Sequence, residues 1–207
     1  MTRLGVGTKR NPDGTDSPYE LNISYVDALG PIDDELSTDQ HAQRFLASQA
    51  IMMSLQGMPA VYFHSLVGTQ NDQEAVETSG IPRRINRRKF DFNELQERLL
   101  GETLQAKIFQ GMQRLLEIRT NQPAFHPDAK QVYVESGSDH VVCFERLSSQ
   151  DSLPQQLLIA ANFHDQPQFV TLPDRFHNAS DLLSSSISDS TILLEPSQVV
   201  WLEAAKV

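Results

Sequence analysis

Leu55-Gln56-Gly57-Met58-Pro59-Ala60-Val61-Tyr62-Phe63-His64 is the stretch on which the reading of this chain turns. Gly57 can take the left-handed conformation that closes a helix, and Pro59 cannot continue one. Ala60-Val61-Tyr62-Phe63 is apolar without alternation, the pattern of a strand buried on both faces. A long helical pattern precedes it; a loop and more helix follow. Helix, buried strand and helix in that order form one unit of an α/β layer protein.

Upstream, Ser37-Thr38-Asp39-Gln40 is a capping box, with Ser37 as N-cap and Gln40 three residues later. It predicts a helix running to about Gln56. Ala42, Phe45, Leu46, Ala50 and Met53 share one face, which Ile51, Met52 and Leu55 widen. Before that, Tyr19-Glu20-Leu21-Asn22-Ile23-Ser24-Tyr25-Val26-Asp27-Ala28-Leu29 mixes aromatics with amides and carboxylates and reads as an edge strand or ordered loop. Residues 1–18 are rich in turn formers and read as a loop. Their first residues lack the apolar core of a signal peptide.

Downstream, Ser65 to Asp72 reads as a strand end opening into a loop, the edge at which parallel α/β proteins bind ligands. His64 lies near this edge and reads as a half-buried structural histidine. Asp91-Phe92-Asn93-Glu94 repeats the capping chemistry and starts a short helix through Leu99. A second helix spans roughly Glu102 to Arg119, with Leu104, Ile108, Met112, Leu115 and Leu116 as its stripe. From Ala129 the period changes to that of short strands: Gln131–Val134, His140–Glu145, Gln156–Asn162, Gln168–Thr171, Ile192–Leu194 and Gln198–Leu202. Turn formers separate them, including Asp151-Ser152, and the spacing is that of a small antiparallel sandwich. The expected division is 1–125, an α/β part, and 126–207, a β-sandwich domain.

The chain has 207 residues and a net charge of −10, which argues against a general nucleic-acid or anionic-membrane binder. Its single cysteine, Cys143, excludes an internal disulfide and fits a reducing, cytoplasmic setting. No run approaches the roughly 18 apolar residues of a membrane span. Against this acidic background, Arg83, Arg84, Arg87, Arg88 and Lys89 cluster between Ile81 and Phe90. Such a knot suits a phosphate, a substrate carboxylate or the protein's own acids, or is a solvated patch; RNA binding is the weakest reading.

Four segments, in this order and spacing, resemble the sucrose phosphorylase group of glycoside hydrolase family 13, the α-amylase family, with the glucosylglycerate phosphorylase branch most similar. They are Tyr19 to Leu29, Gln56-Gly57-Met58-Pro59-Ala60-Val61-Tyr62, Gly68-Thr69-Gln70-Asn71-Asp72 and Ile85-Asn86-Arg87-Arg88. The resemblance implies the C-terminal fragment of a (β/α)8 barrel followed by a small antiparallel β-sandwich domain. Ala60 to His64 would be barrel strand eight. It also implies retaining chemistry: a carboxylate attacks the anomeric carbon, a carboxylic acid protonates the leaving oxygen, and inorganic phosphate takes the glucosyl group as co-substrate. No organic cofactor and no metal is implied.

The family's nucleophile follows an Arg by two positions, and no Arg-x-Asp occurs here. Asp27-Ala28 echoes the nucleophile's neighbours, but Tyr25 stands where Arg should. His164-Asp165 imitates the strand-seven pair, but falls among the β runs. All three catalytic carboxylates are therefore expected upstream of Met1, and no catalytic residue is assigned. By resemblance the substrate-binding residues are Tyr19, Glu20 and Asn22 over the acceptor subsite, Arg87 at the glucosyl residue, and Asn86 beside it. Glu20 stands where sucrose phosphorylases have Gln, which points to an acceptor other than fructose. A carboxylate there repels phosphate unless an Arg offsets it.

An isolated piece of barrel is expected to leave the faces around Phe45, Ile51, Met53 and Val61 in water. A homodimer would be one way to cover them. Two other functional classes stay open: a family 13 hydrolase with water as acceptor, and a non-catalytic sugar-binding or structural β module. Exposed aromatics would favour the module, and only Tyr133, Phe169 and Trp201 are candidates; core packing is the reading preferred for them.

Overall fold

The computed structural model describes residues 5–30, 36–148 and 154–205. The chain forms two compact units, one comprising the residues up to Phe45 with Val61–Gln110, the other Leu46–Ala60 with Gly111–Val207. Both long helices contribute a segment to each unit. The expected turn at Asp151-Ser152 and the start of the expected N-terminal loop lie outside the described residues.

In the first unit, β1 (Gly5–Arg10) and β2 (Asp16–Asn22) form an antiparallel hairpin with an irregularity at Gly7/Thr8. This corrects the expected loop over 1–18. The turn formers do make a turn: Asp13 Oδ1 accepts from the Thr15 amide at 2.9 Å and the Thr15 hydroxyl at 2.7 Å. Its flanks pair as strands although Gly5-Val6-Gly7-Thr8-Lys9-Arg10 has no strand periodicity, because ladder pairing is set by the partner.

There follow α1 (Tyr25–Ala28), α2 (Thr38–Ser54), α3 (Phe63–Leu66), α4 (Gln73–Ser79), a 3-10 turn (Pro82–Asn86), α5 (Phe92–Leu100) and α6 (Leu104–Thr120). The capping box on α2 closes in both directions. The Gln40 side chain accepts from the Ser37 amide at 2.9 Å, and Ser37 Oγ accepts from the Gln40 amide at 3.2 Å. Asp91 caps α5 through the Asn93 and Glu94 amides.

The expected strand at Ala60–His64 does not form. Residues 60–62 carry no regular structure and Phe63 opens α3. An extended segment becomes a strand only when a neighbour supplies ladder bonds, and no described strand pairs with it. The expected exposure is also redistributed. Phe45 and Met53 are fully buried and Ile51 and Val61 half-buried. Within its unit Phe45 is covered by the Tyr25 ring, edge-on at 5.7 Å. Water instead meets Leu21, Tyr25, Tyr62 and Phe63, exposed by 61, 48, 57 and 49%.

In the second unit a 3-10 turn (Pro123–Phe125) leads, among the described residues, into seven strands: β3 (Lys130–Tyr133), β4 (Val141–Leu147), β5 (Gln156–Asn162), β6 (Gln168–Thr171), β7 (Ser180–Asp181), β8 (Thr191–Leu194) and β9 (Val199–Glu203). Six fall on the expected runs; β7, two residues long, has no sequence signal. The main sheet runs β3-β4-β5-β9-β7, and β6-β8 forms a second, with every pairing antiparallel.

Alternation sorts the faces. Val141, Cys143, Leu158, Ala160, Val200 and Leu202 pack toward Val170 and Leu194 of the small sheet, closing one core. Leu157, Ile159 and Trp201 belong to the opposite face, where Phe125 meets Trp201 edge-on at 4.8 Å. Burial holds the Cys143 thiol far from ionising, pushed up to about 12, with the Glu145 carboxylate adding to it. α2 and α6 also approach closely in this unit. A Cβ on Gly111 would stand 2.7 Å from Leu46 Cδ2 and 3.0 Å from its Cγ, so any larger residue there forces the Leu46 side chain to move.

Trp201 is core, as expected, whereas Tyr133 and Phe169 are 73 and 70% exposed. They belong to different sheets, so they do not make a single aromatic platform.

Candidate functional site

The expected site residues all lie in the first unit, on two supports. Tyr19, Glu20 and Asn22 ride on β2. Asn86 ends the 3-10 turn and Arg87 caps it, its amide donating to the Arg84 carbonyl at 3.1 Å. Arg83 of that turn reaches the hairpin. Its Nε donates to both Glu20 carboxylate oxygens, at 3.0 and 3.2 Å. Glu20 first and Tyr19 second raise the Arg83 pKa, so the guanidinium is held charged beside both. The basic knot is thus partly spent on the protein's own acids: Arg83 on Glu20, and Arg88 on Glu94 at 3.4 Å. Arg84, Arg87 and Lys89 have no carboxylate partner among the described residues.

The segment after β2 is anchored by the Gly68-Thr69-Gln70-Asn71-Asp72 motif. Asp27 accepts from Gln70 Nε2 at 3.2 Å and from the Asn71 amide at 2.7 Å. Asn71 Oδ1 in turn accepts from the Ser24 amide at 2.6 Å, and Ser24 Oγ caps α1. Asp72 caps α4, while its amide donates to the Ile85 carbonyl at 2.8 Å. Gly68 takes φ +60°, and a Cβ there would stand 3.0 Å from Ile108 Cβ and 3.2 Å from Gln105 Cα. Gln70 and Asn71 therefore tie the motif to the segment leaving the hairpin, and Asp72 ties it to the basic turn. Asp27 is a structural clamp with both carboxylate oxygens engaged.

Between the two supports is a cavity of about 310 Å³. Asn86 reaches it together with Leu21, Tyr25, Tyr62, His64 and Thr69. Tyr19, Glu20, Asn22 and Arg87 are not among its walls. Sequence alone did not single out Tyr25 and Tyr62 as wall residues, although they lie inside two of the four segments that carry the resemblance. His64 Nδ1 is 3.0 Å from Thr69 Oγ1, and its ring is flanked by Tyr62, Phe63 and Phe90. Partial burial lowers its pKa, so it stays neutral near neutrality. Two tyrosines, an amide and a neutral imidazole offer apolar ring faces and uncharged hydrogen-bonding groups, the chemistry that recognises a polyhydroxylated ligand. Among the described residues no group of three metal-ligating side chains is placed to hold an ion, and no helix is long and apolar enough to cross a membrane.

Over 200 residues, 96% of its length, the chain is 34% identical to glucosylglycerate phosphorylase of Escherichia coli K12. It is 46% identical over 127 residues to glucosylglycerate phosphorylase of Allomeiothermus silvanus, and 29% identical over 120 residues to sucrose phosphorylase of Agrobacterium vitis. The chain is sucrose phosphorylase-like. It spans about a third of the length of the E. coli relative, 34%, and 23 and 22% of the other two.

Solved structures give the same fold. The sucrose phosphorylase-like chain matches MutB in complex with its substrate sucrose at TM-score 0.60 and 17% identity, over 84% of this chain and 40% of that one. It matches an isomaltulose synthase of Erwinia rhapontici NX5 in complex with D-glucose at TM-score 0.60 and 14% identity, over 89 and 42%. These are TIM-barrel enzymes of glycoside hydrolase family 13, so the α/β class with an appended antiparallel β part stands. No family model matches the chain.

Proposed function

We propose that this chain belongs to an α-glucoside phosphorylase and supplies its acceptor-side and sugar-side walls, with the nucleophile and the acid/base carboxylates outside these residues. The observation that carries the reading is the match to glucosylglycerate phosphorylase along 96% of the chain. In this reading Tyr19, Glu20 and Asn22 face the acceptor, and Asn86 and Arg87 face the glucosyl residue. The reaction retains configuration. A carboxylate displaces the acceptor from the anomeric carbon while a carboxylic acid protonates the departing oxygen; phosphate then takes the glucosyl group, giving α-glucose 1-phosphate. Phosphate is a co-substrate, and no metal or organic cofactor is invoked.

The Arg83–Glu20 pair supports an anionic partner. A lone carboxylate beside the acceptor would repel phosphate or glycerate. Held by Arg83 it is offset, and the unpartnered Arg84 and Arg87 leave the turn net positive.

The experiment offers a glucosylglycerate to the complete enzyme carrying this sequence, with and without phosphate. Phosphate-dependent release of α-glucose 1-phosphate supports the proposal. Release of glucose at an equal rate without phosphate replaces it with the hydrolase reading. Arg87→Ala is expected to lower kcat/KM at least tenfold, about 1.4 kcal/mol. The 207-residue chain alone is expected to show no phosphorolysis; turnover by it would place the carboxylates within these residues.

A further inference from the structure

The second unit holds a fully buried arginine, Arg146, and a half-buried one, Arg119, neither against an acid among the described residues. Arg119, in the last turn of α6, donates Nε–H to the Met53 carbonyl at 2.8 Å and Nη2–H to the Phe125 carbonyl at 3.0 Å. Arg146, on β4 and fully buried, donates from Nη1 to the Ser54 carbonyl at 2.7 Å. Its Nη2 donates to the His126 and Ala129 carbonyls at 2.9 and 3.2 Å. Its Nε is buried with no hydrogen-bond partner. Neither guanidinium has a carboxylate within ion-pair distance among the described residues. The partners are backbone carbonyls, which carry partial charges only, so neither guanidinium is neutralised by a full negative charge. Burial first, and the nearby Arg119 charge second, pull the Arg146 pKa down to about 10. Burial lowers that of Arg119 as well. Buried charge is expensive unless paired.

Arg119 also opens onto a cavity of about 410 Å³, walled in addition by Asn121, Gln122, Pro123, His126 and Pro127. Three of its five N–H groups are not engaged with the carbonyls. The space exceeds what a bare tetrahedral oxyanion fills, and the two prolines give it an apolar wall. Asp128 stands 3.9 Å from His126 Nδ1 but faces solvent.

We propose that this cavity is a binding site for a phosphate monoester, its phosphate seated on Arg119 over the Arg119–Arg146 charge and its organic part against Pro123 and Pro127. Neither the expected site residues nor the proposed phosphorolysis involves these residues, and the inference stands without them.

The test titrates the 207-residue chain with inorganic phosphate, α-glucose 1-phosphate, glucose and chloride at constant ionic strength, following Tm and ¹H–¹⁵N spectra. Phosphate and α-glucose 1-phosphate should raise Tm saturably and shift the Arg119 side-chain Nε–H with the amides of 119–127. Glucose and chloride should do neither. Arg119→Met should weaken binding at least about tenfold, while Arg87→Ala leaves these shifts unchanged. Shifts confined to the Tyr19 and Arg87 region, or none, overturn the proposal. If Arg119→Met does not fold, the wild-type Nε–H shift decides: its absence at saturating phosphate has the same force.

Discussion

The β strands of the second unit and the Ala60–His64 stretch of the first were read by the same rules, with opposite results. Each β run has its ladder partner within the chain, and six of the seven strands formed where the sequence put them. Ala60-Val61-Tyr62 is just as apolar, yet it forms no strand, because no described strand lies beside it. A buried-strand pattern therefore states a requirement for neighbours rather than a conformation. Where they are present it becomes core; where they are not, its rings face water, as Tyr62 and Phe63 do.

The sharpest way to break this contrast is to truncate one aromatic in each region and compare urea unfolding. Trp201→Ala removes a fully buried ring packed on Phe125 and should cost about 3–5 kcal/mol. Tyr62→Ala should cost under about 1 kcal/mol, since its ring is mostly solvated. Comparable losses would mean that Tyr62 has a partner in solution.

Gly111→Val comes next, at roughly 1–3 kcal/mol, because any side chain there enters the space of Leu46. Leu46→Ala in the same background should recover part of the loss, and a failure to do so would relocate the conflict.

Asp27→Ala should cost about 1–3 kcal/mol by leaving the Asn71 amide unpaired. Hydrogen exchange should rise first at Asn71 and Ser24. Uniform loss of protection across the chain would instead make the motif part of the global core.

The smallest effects are titrations. The Cys143 thiol ionises far less readily folded than unfolded, so its contribution is complete below its ordinary pKa of 9.0 and is lost as pH climbs toward 12. Folded protein at pH 8 should resist thiol reagents, and Cys143→Val should flatten the alkaline fall in stability. His64 is shifted the other way. Its contribution is full above its ordinary 6.5 and fades as pH drops below it, and His64→Leu should flatten that acid limb.

Helix limits were legible because they are written locally. Ser37, Gln40 and Asp91 satisfy amides within one turn, and apolar spacing alone marked the stripes of α2 and α6. The β runs were legible because alternation and turn formers are local too. Resemblance carried the site only as far as its segments: it named Asn86, which lines the cavity, but gave no hint of which cation would hold Glu20. Arg83 lies 63 residues from Glu20, and no periodicity links the two.

What the sequence determined by itself was thus the long helices α2 and α6, the capped start of α5, six of the β runs, the change from helical to strand period near Ala129, and the kinship with sugar phosphorylases. Tertiary structure decided which elements found partners. It turned a glycine-rich loop into a hairpin, left Ala60–Tyr62 unpaired among the described strands, made Asp27 a clamp, and set Arg119 and Arg146 against backbone carbonyls. The division has a physical cause. Capping and periodicity act within a few residues, whereas ladder bonds, ion pairs and burial depend on groups that only the folded chain brings near.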